Sequence, residues 1–140
     1  MDQLILAQKL ESLRRCIKRV GEKTPSRIDF LVQDPDIQDI LVLNLTRAVQ
    51  LCVDIGSHVI SETEESAPTT MGDVFSALER LAVITPATCI AMKKAVGFRN
   101  IAVHNYQVID WEIVYAISKN FLLDFRRFAK EIAEHSGLKS

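Results

Sequence analysis

Leu6, Leu10, Leu13, Ile17 and Val20 recur every three or four residues, the spacing that lines one face of an α-helix. The pattern predicts a first helix that ends at Gly21. Its other side carries Arg14, Arg15, Lys18 and Arg19, which reads either as a solvated face or as one turned toward a polyanion. Thr24-Pro25 has the form of a cap followed by a first-turn proline, and Asp34-Pro35 disfavours helix just before the proline, so a short connecting turn is expected. A longer stripe, Ile37, Ile40, Leu41, Leu45, Ala48, Leu51, Cys52, Ile55 and Val59, predicts the second long helix, with Asn44, Arg47, Asp54 and His58 sharing much of another face.

The stretch from Ser61 to Thr70 lacks apolar periodicity and contains Pro68, so it reads as an exposed loop. A third helix is expected from near Met71 through Val74, Phe75, Leu78 and Leu81, stopping before the cap-and-proline pair Thr85-Pro86. A fourth starts there and carries Cys89, Ile90, Met92, Val96 and Phe98 toward Ile101 and Val103, with a bend expected near Gly97, since glycine costs a helix about 1 kcal/mol relative to alanine. Asp110 is placed to cap a last helix bearing Trp111, Val114, Ile117, Phe121, Leu122, Phe125, Phe128 and Ile132, which ends near Gly137. No segment reads as a strand. Sequential helices with short connections predict an all-α fold, an up-and-down bundle of about five helices forming a single domain over residues 1–140.

Composition narrows the functional classes. The 140 residues are 48% hydrophobic and 25% charged, enough apolar content for a packed core and too much for a disordered chain. Seventeen basic against eighteen acidic residues leave a formal charge of −1, so any polyanion must be held by a local patch. No apolar run is expected to span a bilayer, and Met1-Asp2-Gln3 opens an amphipathic pattern rather than a signal peptide, which points to a cytoplasmic protein with no membrane partner. Cys16, Cys52 and Cys89 are odd in number and far apart in apolar surroundings, the pattern of buried free thiols. There is no Walker loop, Gly-x-Ser-x-Gly turn or His-Glu-x-x-His pair, which removes support for ATPase, serine hydrolase and zinc protease readings.

The chemistry concentrates in Gly97-Phe98-Arg99-Asn100-Ile101-Ala102-Val103-His104-Asn105-Tyr106. An imidazole, with an ordinary pKa of about 6.5, exchanges protons near neutral pH, and a guanidinium presents a planar set of donors to a phosphate. RNA carries its own nucleophile, the 2′-hydroxyl, so a histidine general base and an arginine steadying the phosphorane suffice to cleave it without a metal. At about 100° per residue Arg99 and His104 differ by roughly 140° on an ideal helix, while Asn100 and His104 share a face. A shared pocket therefore needs a bend or a second subunit. His58, one turn after Asp54, is a second candidate acid–base pair, and Trp111 has the spacing of a core or dimer contact.

Arg99-Asn100 followed by His104-Asn105-Tyr106 resembles the Arg-x4-His-x-Tyr motif of the HepT toxins, members of the all-helical HEPN superfamily of ribonucleases. The resemblance extends to the helix order, to Asn44-Leu45-x-Arg47-Ala48 on the second long helix, to the Gly97-Phe98 lead-in and to the aromatic-rich last helix. It implies a homodimeric endoribonuclease that needs no metal or other cofactor, with catalytic Arg99, Asn100 and His104 converging on a cleft between subunits. It also implies a minimal nucleotidyltransferase antitoxin, MntA, as partner, with Tyr106 the acceptor of AMP units. RNA affinity then has to come from local groups such as Lys93, Lys94, Arg99 and the basic first helix. The alternative left open by the residues is a non-catalytic helical module that binds a nucleotide or a nucleotidyltransferase.

Overall fold

A computed structural model describes residues 3–138, apart from the side chain of Phe121; Met1 and Asp2 therefore lie outside the described residues. Among the described residues seven α-helices follow one another: α1 Gln3–Lys23, α2 Ile28–Val32, α3 Pro35–Ile60, α4 Met71–Arg80, α5 Pro86–His104, α6 Trp111–Ala116 and α7 Leu122–His135. A single 3-10 turn, Tyr106–Val108, lies between α5 and α6, and a π-helical segment, Ile117–Phe121, joins α6 to α7. The expected all-α bundle is present. The five expected helices are α1, α3, α4, α5 and the α6–α7 rod, with the short α2 added.

The spine is α3, which packs on α1, α4, α5 and α7, while α1 and α5 also pack on α7. Leu41, Leu45, Cys52 and Ile55 of α3 meet Leu6, Leu10, Leu13 and Val20 of α1 and Phe75, Met92 and Phe128 in one buried cluster. Phe75 and Phe128 stand edge to face with centroids 5.8 Å apart, the geometry aromatic quadrupoles favour. All three cysteines are free and buried, and burial pushes each thiol's pKa upward, Cys52 most of all.

Caps set most of the boundaries. Asp34 accepts from the amides of Asp36 and Ile37, with Pro35 at the first turn, and Thr70 and Thr85 cap α4 and α5 in the same way. At the far end Gly137 takes a φ of +73°. The Leu138 amide then donates to the Ala133 carbonyl at 2.8 Å, so α7 closes on glycine as expected.

Four expectations are corrected. Gly21 does not end α1: the helix runs on to Lys23, and the amide and hydroxyl of Thr24 close it by donating to the Val20 carbonyl at 2.9 and 2.6 Å. Thr24-Pro25 is thus the end of one helix, and the next starts from Arg27. α5 stays α-helical through Gly97 and breaks only at Asn105, whose φ of −150° and ψ of 58° leave the helical region. Finally, α3 is long and apolar enough to cross a membrane by length and composition, with a mean hydropathy of 1.3, yet half of that stretch is buried inside the bundle, as in the core helix of a globular fold.

Two backbone positions carry measurable strain or closeness. A Cβ on Gly56 would lie 2.5 Å from Val74 Cγ1 and 2.9 Å from Leu78 Cδ1, so this glycine lets α3 and α4 touch. Gly56→Ala should cost about 1–3 kcal/mol by overpacking, read as a lowered urea midpoint. Ala82, at the end of α4, has a φ of 58°, and its amide and that of Val83 close α4 by donating to Glu79 and Leu78 carbonyls, both at 2.9 Å. Ala82→Gly should be stabilising by up to about 1 kcal/mol, because glycine occupies this region without the Cβ clash; a lower melting temperature would contradict the assignment.

Candidate active site at the end of helix five

Arg99 and His104 sit in the last two turns of one uninterrupted helix and leave it in different directions. Arg99 turns inward to α3: its Nη2 donates to Gln50 Oε1 at 3.5 Å, and its Nη1 donates to Asn100 Oδ1 at 3.3 Å. Its Nε is buried and, among the described residues, has no partner. Gln50 in turn donates through Nε2 to Asp54 Oδ1 at 3.0 Å. Arg99, Gln50 and Asp54 therefore form a chain in which the amide relays orientation from a carboxylate to the guanidinium.

His104 is the last residue of α5 and is exposed, as is Asn100. Among the described residues no hydrogen bond joins His104 to Arg99. A straight helix keeps the two side chains roughly 140° apart, so within one chain they address different spaces. Lys93 lies three turns before His104 on nearly the same face, whereas Lys94 lines an apolar hollow of about 510 Å³ between α5, α6 and α7. Neither lysine shares the Arg99 side of the helix.

The chain reverses at Asn105, and the 3-10 turn swings Tyr106 back over the start of α3. There its hydroxyl donates to Asp39 Oδ1 at 3.2 Å, and its ring meets Trp111 edge to face at 6.2 Å. Partial burial, together with the hydrogen bond to the Asp39 carboxylate and its negative charge, raises the phenol's pKa above its ordinary 10.0. The hydroxyl is thus protonated at neutral pH, 43% exposed as a residue and aimed by a carboxylate.

Gln50 and Asp39 escaped the sequence reading, although both belong to the polar strip of α3 that it noticed. Only the Cβ positions of a folded bundle show that the strip faces the motif. The Asp54–His58 pair does not form: Asp54 is taken by Gln50, and His58 Nε2 lies 4.0 Å from Glu62 Oε1.

Residues 9–132 match the family described as Ribonuclease HepT-like. The chain belongs to the HepT-like ribonuclease family. It is 36% identical to the mRNA nuclease HepT of Shewanella oneidensis over 124 residues, spanning 89% of this chain and 92% of that protein. It is 22% identical to the tRNA nuclease HepT of Aphanizomenon flos-aquae over 132 residues, or 94% and 90% of the two chains. Among solved structures it superposes with a TM-score of 0.88 and 34% identity on the tri-AMPylated Shewanella oneidensis HEPN toxin in complex with MNT antitoxin, covering 96% of this chain and 99% of that one. Family membership accords with the motif at the end of α5 and with a HEPN-type helical fold.

The Asp39 contact predicts how Tyr106 titrates. Asp39→Asn removes the negative charge that opposes phenolate formation while keeping an acceptor oxygen, so the Tyr106 pKa should fall toward 10.0. Difference absorbance in a Tyr115→Phe background, where Tyr106 is the remaining tyrosine, reads the midpoint directly. An unmoved midpoint would show that the two side chains do not meet in solution.

Proposed function

We propose that this member of the HepT-like ribonucleases is the toxin of a toxin–antitoxin pair, acting as a homodimeric, metal-independent endoribonuclease. The observation that carries the reading is the intact Arg99-x4-His104-x-Tyr106 constellation, with Arg99 anchored on α3 and His104 presented to solvent five residues later. Arg99, Asn100 and His104 are the catalytic residues. His104 takes the proton from the 2′-hydroxyl, whose oxygen bonds to the adjacent phosphorus. The bond from phosphorus to the 5′-oxygen then breaks, and the leaving oxygen takes its proton from a His104 imidazolium, which leaves the proton count of the site unchanged. Arg99 stabilises the charge that builds on the phosphoryl oxygens, and Asn100 holds the guanidinium plane.

The dimer supplies what one straight helix withholds. Exposed Ile90, Ile101, Val108 and Ile113 border the apolar hollow beside α5 and α6, a face that a second copy would cover while bringing its own motif close. Lys93, on the His104 face, and Lys94, at the hollow's rim, would then flank the cleft and meet substrate phosphates. The whole chain acts as one domain in this reading. Its place is the cytosol, where RNA is available and where three buried free thiols stay reduced.

Neutralisation follows from Tyr106. The Shewanella oneidensis relative is tri-AMPylated and complexed with its MNT antitoxin, and the exposed, carboxylate-aimed hydroxyl of Tyr106 is the matching acceptor here. Its partner is accordingly an MntA-like nucleotidyltransferase.

His104→Ala and Arg99→Ala should each lower RNA cleavage by roughly 10²–10⁴-fold with unchanged helical circular dichroism, and activity should persist in EDTA. Loss of activity in EDTA with recovery on adding a divalent ion would overturn the metal-free mechanism. Tyr106→Phe should keep RNase activity yet resist silencing by the nucleotidyltransferase and ATP, with the AMP increment of about 329 Da absent from its peptide. Silencing of the Phe variant as readily as the parent would move the acceptor elsewhere.

A further inference from the structure

Helix α3 has an open side that neither α1 nor α5 covers. Ile40, Leu43, Asn44, Arg47, Gln50 and Asp54 form its floor. Ser12, Arg15, Cys16 and Arg19 of α1 form one wall, and the groove holds about 700 Å³. The floor is tied to the motif end of α5 through Gln50, which is hydrogen-bonded to Arg99, while Asp39, on the same line of α3 just before the floor begins, is hydrogen-bonded to Tyr106. Asp39 and Gln50 are eleven residues apart, which returns them to within about 20° of one another and separates them by about 16 Å along the axis. The groove's floor therefore lies along the stretch of α3 that separates the partner of Tyr106 from the partner of Arg99.

Its charge is one-sided. Arg15, Arg19 and Arg47 are exposed, and among the described residues Arg19 and Arg47 make no ion pair or side-chain hydrogen bond, while Arg15 donates only to Ser12 Oγ at 3.3 Å. Arg15 and Arg47 both stand close enough to the Cys16 thiol for their charge to oppose the effect of its burial. The lining carboxylate, Asp54, is occupied by Gln50. The other basic residues of α1 go elsewhere: Arg14 and Lys18 line a separate hollow with Arg126. Leu43, 48% exposed, adds an apolar surface to the floor. Cations spaced along a shallow groove with flat or apolar surfaces between them suit a flexible chain of phosphates and bases, not a duplex.

We propose that this groove is a track for single-stranded oligonucleotide, in which Arg15, Arg19 and Arg47 hold backbone phosphates and Gln50 delivers the strand to Arg99. The proposal rests on the nuclease reading above and extends it to residues outside the motif. The same phosphodiester chemistry has two sources: substrate RNA, and nucleotide units linked to Tyr106, which enter from the Asp39 end.

The test uses full-length His104→Ala protein and a fluorescein-labelled oligoriboadenylate of about twelve nucleotides, with binding read by anisotropy across a salt series. Replacing Arg15, Arg19 and Arg47 together with alanine should weaken binding roughly tenfold or more and reduce the salt slope by up to about 2, at about 0.7 per phosphate contact on a single strand. Arg47→Ala alone, confirmed as folded by circular dichroism, should move both readouts in the same direction. Unchanged affinity and slope in both variants would overturn the track. In a second arm the protein is first modified by its nucleotidyltransferase and ATP. If the linked nucleotides lie in the groove, modification weakens probe binding in the parent but not in the triple variant, whereas equal weakening in both assigns the groove to substrate RNA alone. Parent enzyme that fails to cleave RNA would refute the nuclease reading itself; cleavage with an unaltered KM in the triple variant refutes only the track.

Discussion

A straight helix cannot aim residues five apart at one point, and this constraint organises the molecule. Arg99 and His104 share α5, which remains helical through Gly97. Their divergence of roughly 140° sends the guanidinium into the bundle and the imidazole out of it. The inward group is held by Gln50 and Asn100 at the limits of hydrogen-bond distance, and its buried Nε still lacks a partner among the described residues. An arginine so placed is oriented without being saturated, which leaves donors for a phosphate. The outward group stands beside an exposed apolar face that includes Ile90, Ile101 and Ile113.

The order of helices was legible because most boundaries rest on local chemistry that reads directly from the chain. Asp34-Pro35, Thr70 and Thr85-Pro86 each cap a helix by their own side chain, within three residues of where it acts. Gly21 misled for the opposite reason. A glycine signals a helix end only when the backbone takes up the left-handed region, as Gly137 does. At Gly21 the helix continued, because its neighbour Val20 is fully buried and the Val20 carbonyl accepts the closing hydrogen bonds from Thr24. Gly97 likewise stays helical, because a cost of about 1 kcal/mol is small beside the burial of its neighbours Val96 and Phe98.

The site was legible only as far as one segment could carry it. Arg99, Asn100, His104 and Tyr106 stand within eight residues and were found by their spacing. Gln50 and Asp39 are separated from their partners by 49 and 67 residues, and no local pattern links an amide on one helix to a guanidinium on another. The basic first helix shows the same limit in another form. Its four cations look like one patch in sequence, but Arg15 and Arg19 face α3 while Arg14 and Lys18 face Arg126. A helical period distributes neighbours to different surfaces, and only the packing of α1 on α3 decides which surface matters.

The separation between the two ends of the motif also bears on how AMP units on Tyr106, in the reading proposed above, would silence the nuclease. The α3 partners of Tyr106 and Arg99 lie about 16 Å apart along the helix, farther than the Debye length of about 8 Å at physiological salt. One added phosphodiester charge at Tyr106 would therefore act on Arg99 across roughly two screening lengths, through solvent, with little effect. Asp39, a like charge 3.2 Å from the acceptor oxygen, would meet the added phosphate long before Arg99 did. Charge alone is the weaker agent, and physical occupation is the stronger. A chain of several nucleotides reaches farther than a single screened charge acts, and the Shewanella oneidensis toxin is tri-AMPylated.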